Sequence, residues 1–377
     1  MTSNLLAARF ALFPALQVFA LWTLSVGSWW TWTPGILLFV ALVIVDSWGG
    51  EFRQQVDDPH PVFFEIVIWA TVLLTPVLSV GLVTFTAWPG SPLSELGLAL
   101  RGPDSLFSIL GAIASTGFIF GISTAASHEL FHRRTPPSWH SAQVALAQYF
   151  YALLAIEHVF GHHPNVGQPN DVTTAARGVG FWRYLRRAVP GTYANALRIE
   201  ARRLTKTGHP VLSLHNRALQ GLGVQAVVAV LLIWGGGGTG LAGALVAGFL
   251  AILAVETTQY VSHYGVVRVT GRPFEDRHAW NGTRTLSTSL MFNLQRHSAH
   301  HRSAMQPFWA HSVSQDAPVY PKGIGMMAFL ALFPPVFMRV TGPLLDDWAE
   351  RLASPEERAL LAGNRNTQAR FRSGSAA

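Results

Sequence analysis

The stretch His128-Glu129-Leu130-Phe131-His132 places two imidazoles four residues apart where a long apolar run ends. On a helix, residues at i and i+4 lie one turn apart on the same face, so both rings can reach a common metal ion. The pattern recurs twice. Glu157-His158-Val159-Phe160-Gly161-His162-His163 repeats the i, i+4 pair and adds a neighbour. Gln295-Arg296-His297-Ser298-Ala299-His300-His301 carries i, i+3 and i, i+4 pairs, and His263 ends a further apolar run. Neutral imidazole is the commonest protein metal ligand and suits iron, zinc, copper and nickel. These nine imidazoles exceed the coordination sphere of one ion, so two ions are expected. His60, His140, His209, His215, His278 and His311 stand alone and are read as non-ligands, with His278 and His311 the first exceptions to consider.

His128-Glu129-x-x-His132 also fits the zinc metalloprotease pattern, with Glu129 as general base. That site needs one more ligand and a bound water, and it leaves the other seven histidines without a purpose. A metal carrier fits less well, because the histidines gather beyond the apolar runs and not inside them. A non-enzymatic histidine-rich membrane protein would bind metal reversibly and consume no reductant. The chain has no cysteine. Disulfides, Cys-ligated zinc and a built-in iron–sulfur or rubredoxin-type centre are thereby excluded. Any electrons the chemistry needs must come from a separate protein or a cofactor held without cysteine.

The elements that must position these histidines are long and apolar. Of 377 residues, 50% are hydrophobic and only 12% are charged, against about a quarter in soluble domains. Runs able to cross a bilayer need roughly 17–25 residues. Six are read, at about 10–28, 31–47, 62–88, 105–127, 218–236 and 239–262. The first two are joined by the Trp-rich turn Trp29-Trp30-Thr31-Trp32, and the last two by the glycine-rich Gly235–Gly240 hairpin; Trp88-Pro89-Gly90 closes the third. Of the 27 Lys and Arg residues, eleven fall between 127 and 217 and thirteen after 262, and only Arg101 lies in a loop assigned to the outside. The positive-inside rule then puts both termini and all four histidine groups in the cytoplasm. It also accounts for the net charge of +7 without nucleic acid. The N-terminus lacks the cleavage pattern of a removable signal peptide, so the first run is expected to be retained.

Two shorter runs are expected not to span. Residues 142–156 carry Gln143 and Gln148 and read as a re-entrant or interfacial helix; 324–341 is broken by Pro334-Pro335. The fold class is an all-α integral membrane protein with six transmembrane helices. It forms a single domain over 1–355, and a mobile, Arg-rich tail is expected over 356–377.

At its histidine motifs the chain resembles the membrane-bound alkane hydroxylase (alkane 1-monooxygenase) family, with the xylene and cymene monooxygenase hydroxylase components. These belong to the wider histidine-rich group that includes membrane fatty-acid desaturases. The resemblance rests on His-Glu-Leu-Phe-His at 128–132, Glu-His-Val-Phe-Gly-His-His at 157–163, Tyr-Val-Ser-His-Tyr-Gly at 260–265 and Leu-Gln-Arg-His-Ser-Ala-His-His at 294–301. It runs from about Asp46 to Trp348 and includes His278-Ala279-Trp280-Asn281. It implies two non-haem iron ions held by His128, His132, His158, His162, His163, His263, His297, His300 and His301. It further implies dioxygen as oxidant, electrons from a rubredoxin or ferredoxin-type carrier with an NAD(P)H-dependent reductase, and a bacterial-type inner membrane. Ser262 and Ala299 stand where many alkane hydroxylases have Glu and Asp, which weakens the inference to linear alkanes. Alkyl-aromatic methyl groups, terpenes and acyl chains remain open, as does desaturation.

Breaking an unactivated C–H bond is beyond any acid–base side chain, so the metal must carry that step and the protein supplies a dry, shaped cavity. Glu129, Glu157 and Asp171 are the carboxylates expected to hydrogen-bond ligand imidazoles and set their tautomers. A basic face with Arg133, Arg134, Arg183, Arg186 and Arg187 could draw in an acidic electron carrier.

Overall fold

The computed structural model describes residues 7–54, 61–87, 92–95, 103–133 and 135–362. His60, Arg101, Arg134, the Trp88-Pro89-Gly90 turn and residues 363–377 lie outside them. The described residues are helical apart from loops and two isolated bridges, Glu51 with Arg284 and Asn281 with Val319. In chain order the helices used below are α1 (Leu12–Val26), α2 (Thr33–Phe39, continuing as a π-helical turn over Val40–Val45), α3 (Pro61–Thr86) and α4 (Leu106–His132). They continue as α5 (Pro136–Ala147), α6 (Leu154–Glu157), α7 (Phe181–Lys206), α8 (Arg217–His263), α9 (Thr285–Leu290), α10 (His297–Arg302), α11 (Ile324–Ala331) and α12 (Pro334–Arg351).

Among the described residues, five helical stretches are long and apolar enough to cross a membrane: Arg9–Val26, Ser28–Trp48, Pro61–Thr86, Leu106–His132 and Arg217–His263. The protein is an all-helical membrane protein. The runs read at 218–236 and 239–262 are continuous in α8, which has 47 residues. Unbroken, it would measure about 70 Å, more than twice the roughly 30 Å hydrocarbon core. It is broken at Gly237, whose φ of 55° and ψ of −152° only glycine adopts without strain. A Cβ on Gly240 would lie 3.4 Å from the Leu232 carbonyl oxygen. Eight residues along a straight helix those positions would be about 12 Å apart, so the chain folds back on itself there.

α4 begins with a capping box between Ser105 and Ser108 and runs five residues past its expected end, so both His128 and His132 lie on the helix itself. It packs along α8 through small residues. A Cβ on Gly117 would come within 2.6 Å of the Ala247 carbonyl oxygen, and one on Gly121 within 2.6 Å of the Ala254 Cβ. Close backbone approach of this kind is how apolar helices associate in lipid, where burial drives nothing. It sets the histidine-bearing ends of α4 and α8 side by side.

The two short apolar runs are each split. Residues 142–156 are not one helix: α5 ends at Ala147, Phe150 adopts a φ of 57°, and α6 starts at Leu154. The break at Pro334 falls between α11 and α12, as proline chemistry requires. Within the stretch assigned to the tail, residues 356–362 are helical and Glu357 is 2% exposed, buried against Arg277 and His278.

Candidate metal centre

Nine imidazoles converge in two groups: His128, His132, His158, His163 and His300 in one, His162, His263, His297 and His301 in the other. Within each group the nearest ring nitrogens all lie within 4.8 Å of one another. These are the nine residues singled out by spacing and resemblance, brought in from α4, the α6 turn, α8 and α10.

Their partition differs from the simple helical reading. His158 and His162 are four apart and were expected to share a face. The segment His158–His162 is a π-helical turn, in which i and i+5 stack. His158 therefore pairs with His163, Nε2 to Nε2 at 3.1 Å, and His162 turns to the other group. α10 divides in the same way. His300 meets His163 at 3.0 Å, while His297 and His301 face each other at 3.2 Å and His297 meets His263 at 2.9 Å. His128 Nε2 lies 2.8 Å from His158 Nε2.

In the group of four, the nitrogens facing away from the centre show why Nε2 points inward. His162 Nδ1 lies 2.8 Å from Asp171 Oδ2 and 2.8 Å from Thr173 Oγ1. Thr173 and Thr174 donate to the same carboxylate, and these bonds, with His162, hold Asp171 below the usual carboxylate range despite its burial. His263 Nδ1 donates to the His278 carbonyl at 3.3 Å, and His297 Nδ1 to the Leu294 carbonyl at 3.2 Å. A neutral imidazole that donates from Nδ1 presents its lone pair at Nε2. Burial, with the repulsion of neighbouring rings, holds His158, His163, His300 and His301 well below the ordinary histidine range; burial pushes His297 down to about 3.

Of the three expected carboxylates, Asp171 alone stands beside an imidazole. Glu129 accepts from Arg133 at 3.1 Å, and Arg133 also pairs with Glu65 at 2.7 Å. Arg133 is thus engaged in ion pairs, whereas Arg183 and Arg186 are exposed, and Arg187, also exposed, donates to the Val172 and Thr174 carbonyls. Glu157 is fully buried, but its hydrogen bond comes from Asn195 at 3.3 Å; burial and the nearby Asp171 push its carboxyl well up.

Among the described residues, the isolated histidines stay outside both groups. His209 and His215 stack on each other at 4.3 Å, and His140 is exposed. His278 is buried, with Nε2 2.6 Å from Glu357 Oε1, and it serves the site through its backbone carbonyl. His311 is buried with its ring centre 5.8 Å from that of His300, and burial pushes it down to about 4. Sequence reasoning missed Thr173 and the clamp made by Asn281, whose Oδ1 accepts from the Ser298 backbone at 3.0 Å in the first turn of α10. Its neighbour Trp280 bonds the end of α8 through Ser262 and Tyr264. The motif His278-Ala279-Trp280-Asn281 was visible as part of the resemblance, but nothing in its residue types announced a clamp.

Residues 104–322 match the family model for fatty acid desaturases. The chain belongs to the fatty acid desaturase family. Among characterised members, this desaturase-family chain is 33% identical to alkane 1-monooxygenase 1 of Pseudomonas aeruginosa over 240 residues, 62% of this chain and 63% of that protein. It is 27% identical to alkane 1-monooxygenase 1 of Alcanivorax borkumensis over 359 residues, 90% of this chain and 84% of the relative. It is 29% identical to the xylene/toluene monooxygenase hydroxylase component of Pseudomonas putida over 362 residues, 95% and 94% of the two chains. The resemblance read from the histidine motifs therefore extends along most of the sequence.

Proposed function

We propose that this chain is a di-iron membrane monooxygenase that inserts one oxygen atom of dioxygen into an unactivated C–H bond of an apolar substrate, an alkane terminal methyl or an alkyl-aromatic methyl group. The observation that carries the reading is the convergence of nine imidazoles, seven of them buried and His163 and His301 half-buried, into two adjacent groups. The donor set fits metal. His158 Nε2 faces two other Nε2 atoms, at 2.8 and 3.1 Å, and one ring proton cannot satisfy both contacts. His162 Nε2 is buried with no hydrogen-bond partner. Converging lone pairs of neutral rings call for cations. Two bound irons would supply the activation of dioxygen and the attack on the C–H bond.

The chain's own part is to bind, orient and keep dry. A cavity of about 50 Å³ beside the rings is lined by His128, His158, His297, Ala125, Gly121 and Leu154. It adjoins an apolar cavity of about 200 Å³ lined by Phe39, Leu42, Phe118, Leu253 and Phe329. The two share Ile122, Thr258 and Met291. An apolar molecule dissolved in the bilayer can rest in the larger space with one end at the rings, and the side chains where the two meet would select which carbon arrives. We read α8 as two spans joined at Gly237, giving six spans with both termini and the histidines on the cytoplasmic side of an inner membrane. Arg183, Arg186 and Arg187 would then face an acidic rubredoxin or ferredoxin-type carrier and its NAD(P)H-dependent reductase.

Desaturation of an acyl chain is the second reading, favoured by the family match over 104–322. The zinc protease reading is poorer: Glu129 is tied to Arg133, and both motif histidines sit in a group of five. The test is metal analysis of the detergent-purified chain, followed by product analysis under isotopically labelled dioxygen. The expected result is two irons per chain and an alcohol carrying the label. One zinc without iron after iron-replete growth would overturn the proposal; an unlabelled alkene product would establish the second reading.

A further inference from the structure

Away from the histidines, α3, α5 and the first arm of α8 enclose a groove of about 810 Å³. It lies within the size range of small-molecule sites, about 300–1,000 Å³. Among the described residues it shares none of its lining with the two cavities at the rings. Most of its wall is apolar, with Val80, Val227, Leu231 and Trp234 exposed along spanning helices. One end is different. His140, Gln143, Gln148 and Gln220 meet there. Gln143 is only 1% exposed; its Nε2 donates to the Arg217 carbonyl at 3.2 Å, and its Oε1 is buried without a partner. An acceptor buried in this way needs a donor.

We propose that the groove is a binding site for one membrane lipid, with an acyl chain along Val80, Val227 and Leu231 and a headgroup that donates a hydrogen bond to Gln143. The surroundings of these helices are acyl chains, so the apolar wall is solvated by lipid in any case. The orphan acceptor at the polar end is what selects the headgroup. The primary ammonium of an ethanolamine headgroup can donate to it, and a trimethylammonium cannot. The exposed His140 ring lines the same end, beside Gln220, whose Nε2 donates to the Leu214 carbonyl at 2.6 Å.

The test is native mass spectrometry of the full chain from mixed micelles holding equal phosphatidylethanolamine and phosphatidylcholine. The wild-type chain should retain one phosphatidylethanolamine, preferred by roughly fivefold to tenfold, the effect of one hydrogen bond in an apolar setting. Val227→Trp, which fills the groove from an exposed position, should release the lipid. Gln143→Met, which keeps length and removes the amide, should bring the two lipids to parity. Retention of neither lipid, equal retention of both by the wild-type chain, or a dimer mass that Val227→Trp abolishes would overturn the proposal. The last result would assign the groove to a second copy of the chain. Iron content measured on the same samples reports the histidine centre separately.

Discussion

The two histidine groups are built differently. In the group of four, the outward nitrogens of His162, His263 and His297 are tied to Asp171 and Thr173, to the His278 carbonyl and to the Leu294 carbonyl. In the group of five, the contacts that define the arrangement run ring to ring: His128 to His158, His158 to His163, His163 to His300. The only carboxylate within the His128–His132 motif, Glu129, faces Arg133 instead. Three rings of the group of four are thus held from behind by a carboxylate, a hydroxyl and two backbone carbonyls. Fixed outer partners raise ligand basicity and spare the ordering cost when a metal binds. The anchored group should therefore hold its metal more tightly.

The largest effect should come from removing a ring of the anchored group. His162→Ala is expected to abolish turnover and to lower iron toward one per chain, while His209→Ala, on the exposed stacked pair, should change neither; metal analysis beside product assay decides. Normal turnover in His162→Ala would take the second motif out of the site. A smaller and more telling change is Asp171→Asn, which keeps the shape and removes the charge behind His162. It should weaken metal binding in the group of four by about 10–100-fold and leave the group of five nearly untouched. Equal loss from both would break the comparison. The smallest effect should follow Glu129→Gln. With the carboxylate directed to Arg133, iron content should stay at the wild-type level; loss of metal on this change would mean that Glu129 supports the group of five.

Much of the scaffold was legible because it follows from local chemistry. Apolar length marked the spans to within a few residues at most ends, and a glycine run marked the turn in α8. The exception is the end of α4, where the polar His-Glu-Leu-Phe-His stretch looked like a boundary yet continues the helix to His132. Hydropathy sees side chains one at a time, and a helix needs only its backbone bonds once packing covers the polar groups. Glu357 was assigned to a tail on composition alone, whereas its burial depends on His278 and Arg277 about eighty residues earlier.

The sequence alone marked eight of the rings that lie together here by their helical spacing, and the ninth, His263, by its place at the end of an apolar run and by the resemblance. It also determined that the chain lives in a membrane and that no cysteine takes part. Only the tertiary structure decided how the nine divide. One π-helical turn at His158–His162 exchanges an i, i+4 pair for an i, i+5 pair and sends His162 across to His263. That shift depends on what packs around the turn, from Asn195 on α7 to Asp171 in the following loop, and such partners are set by contact in space, which spacing along the chain does not encode.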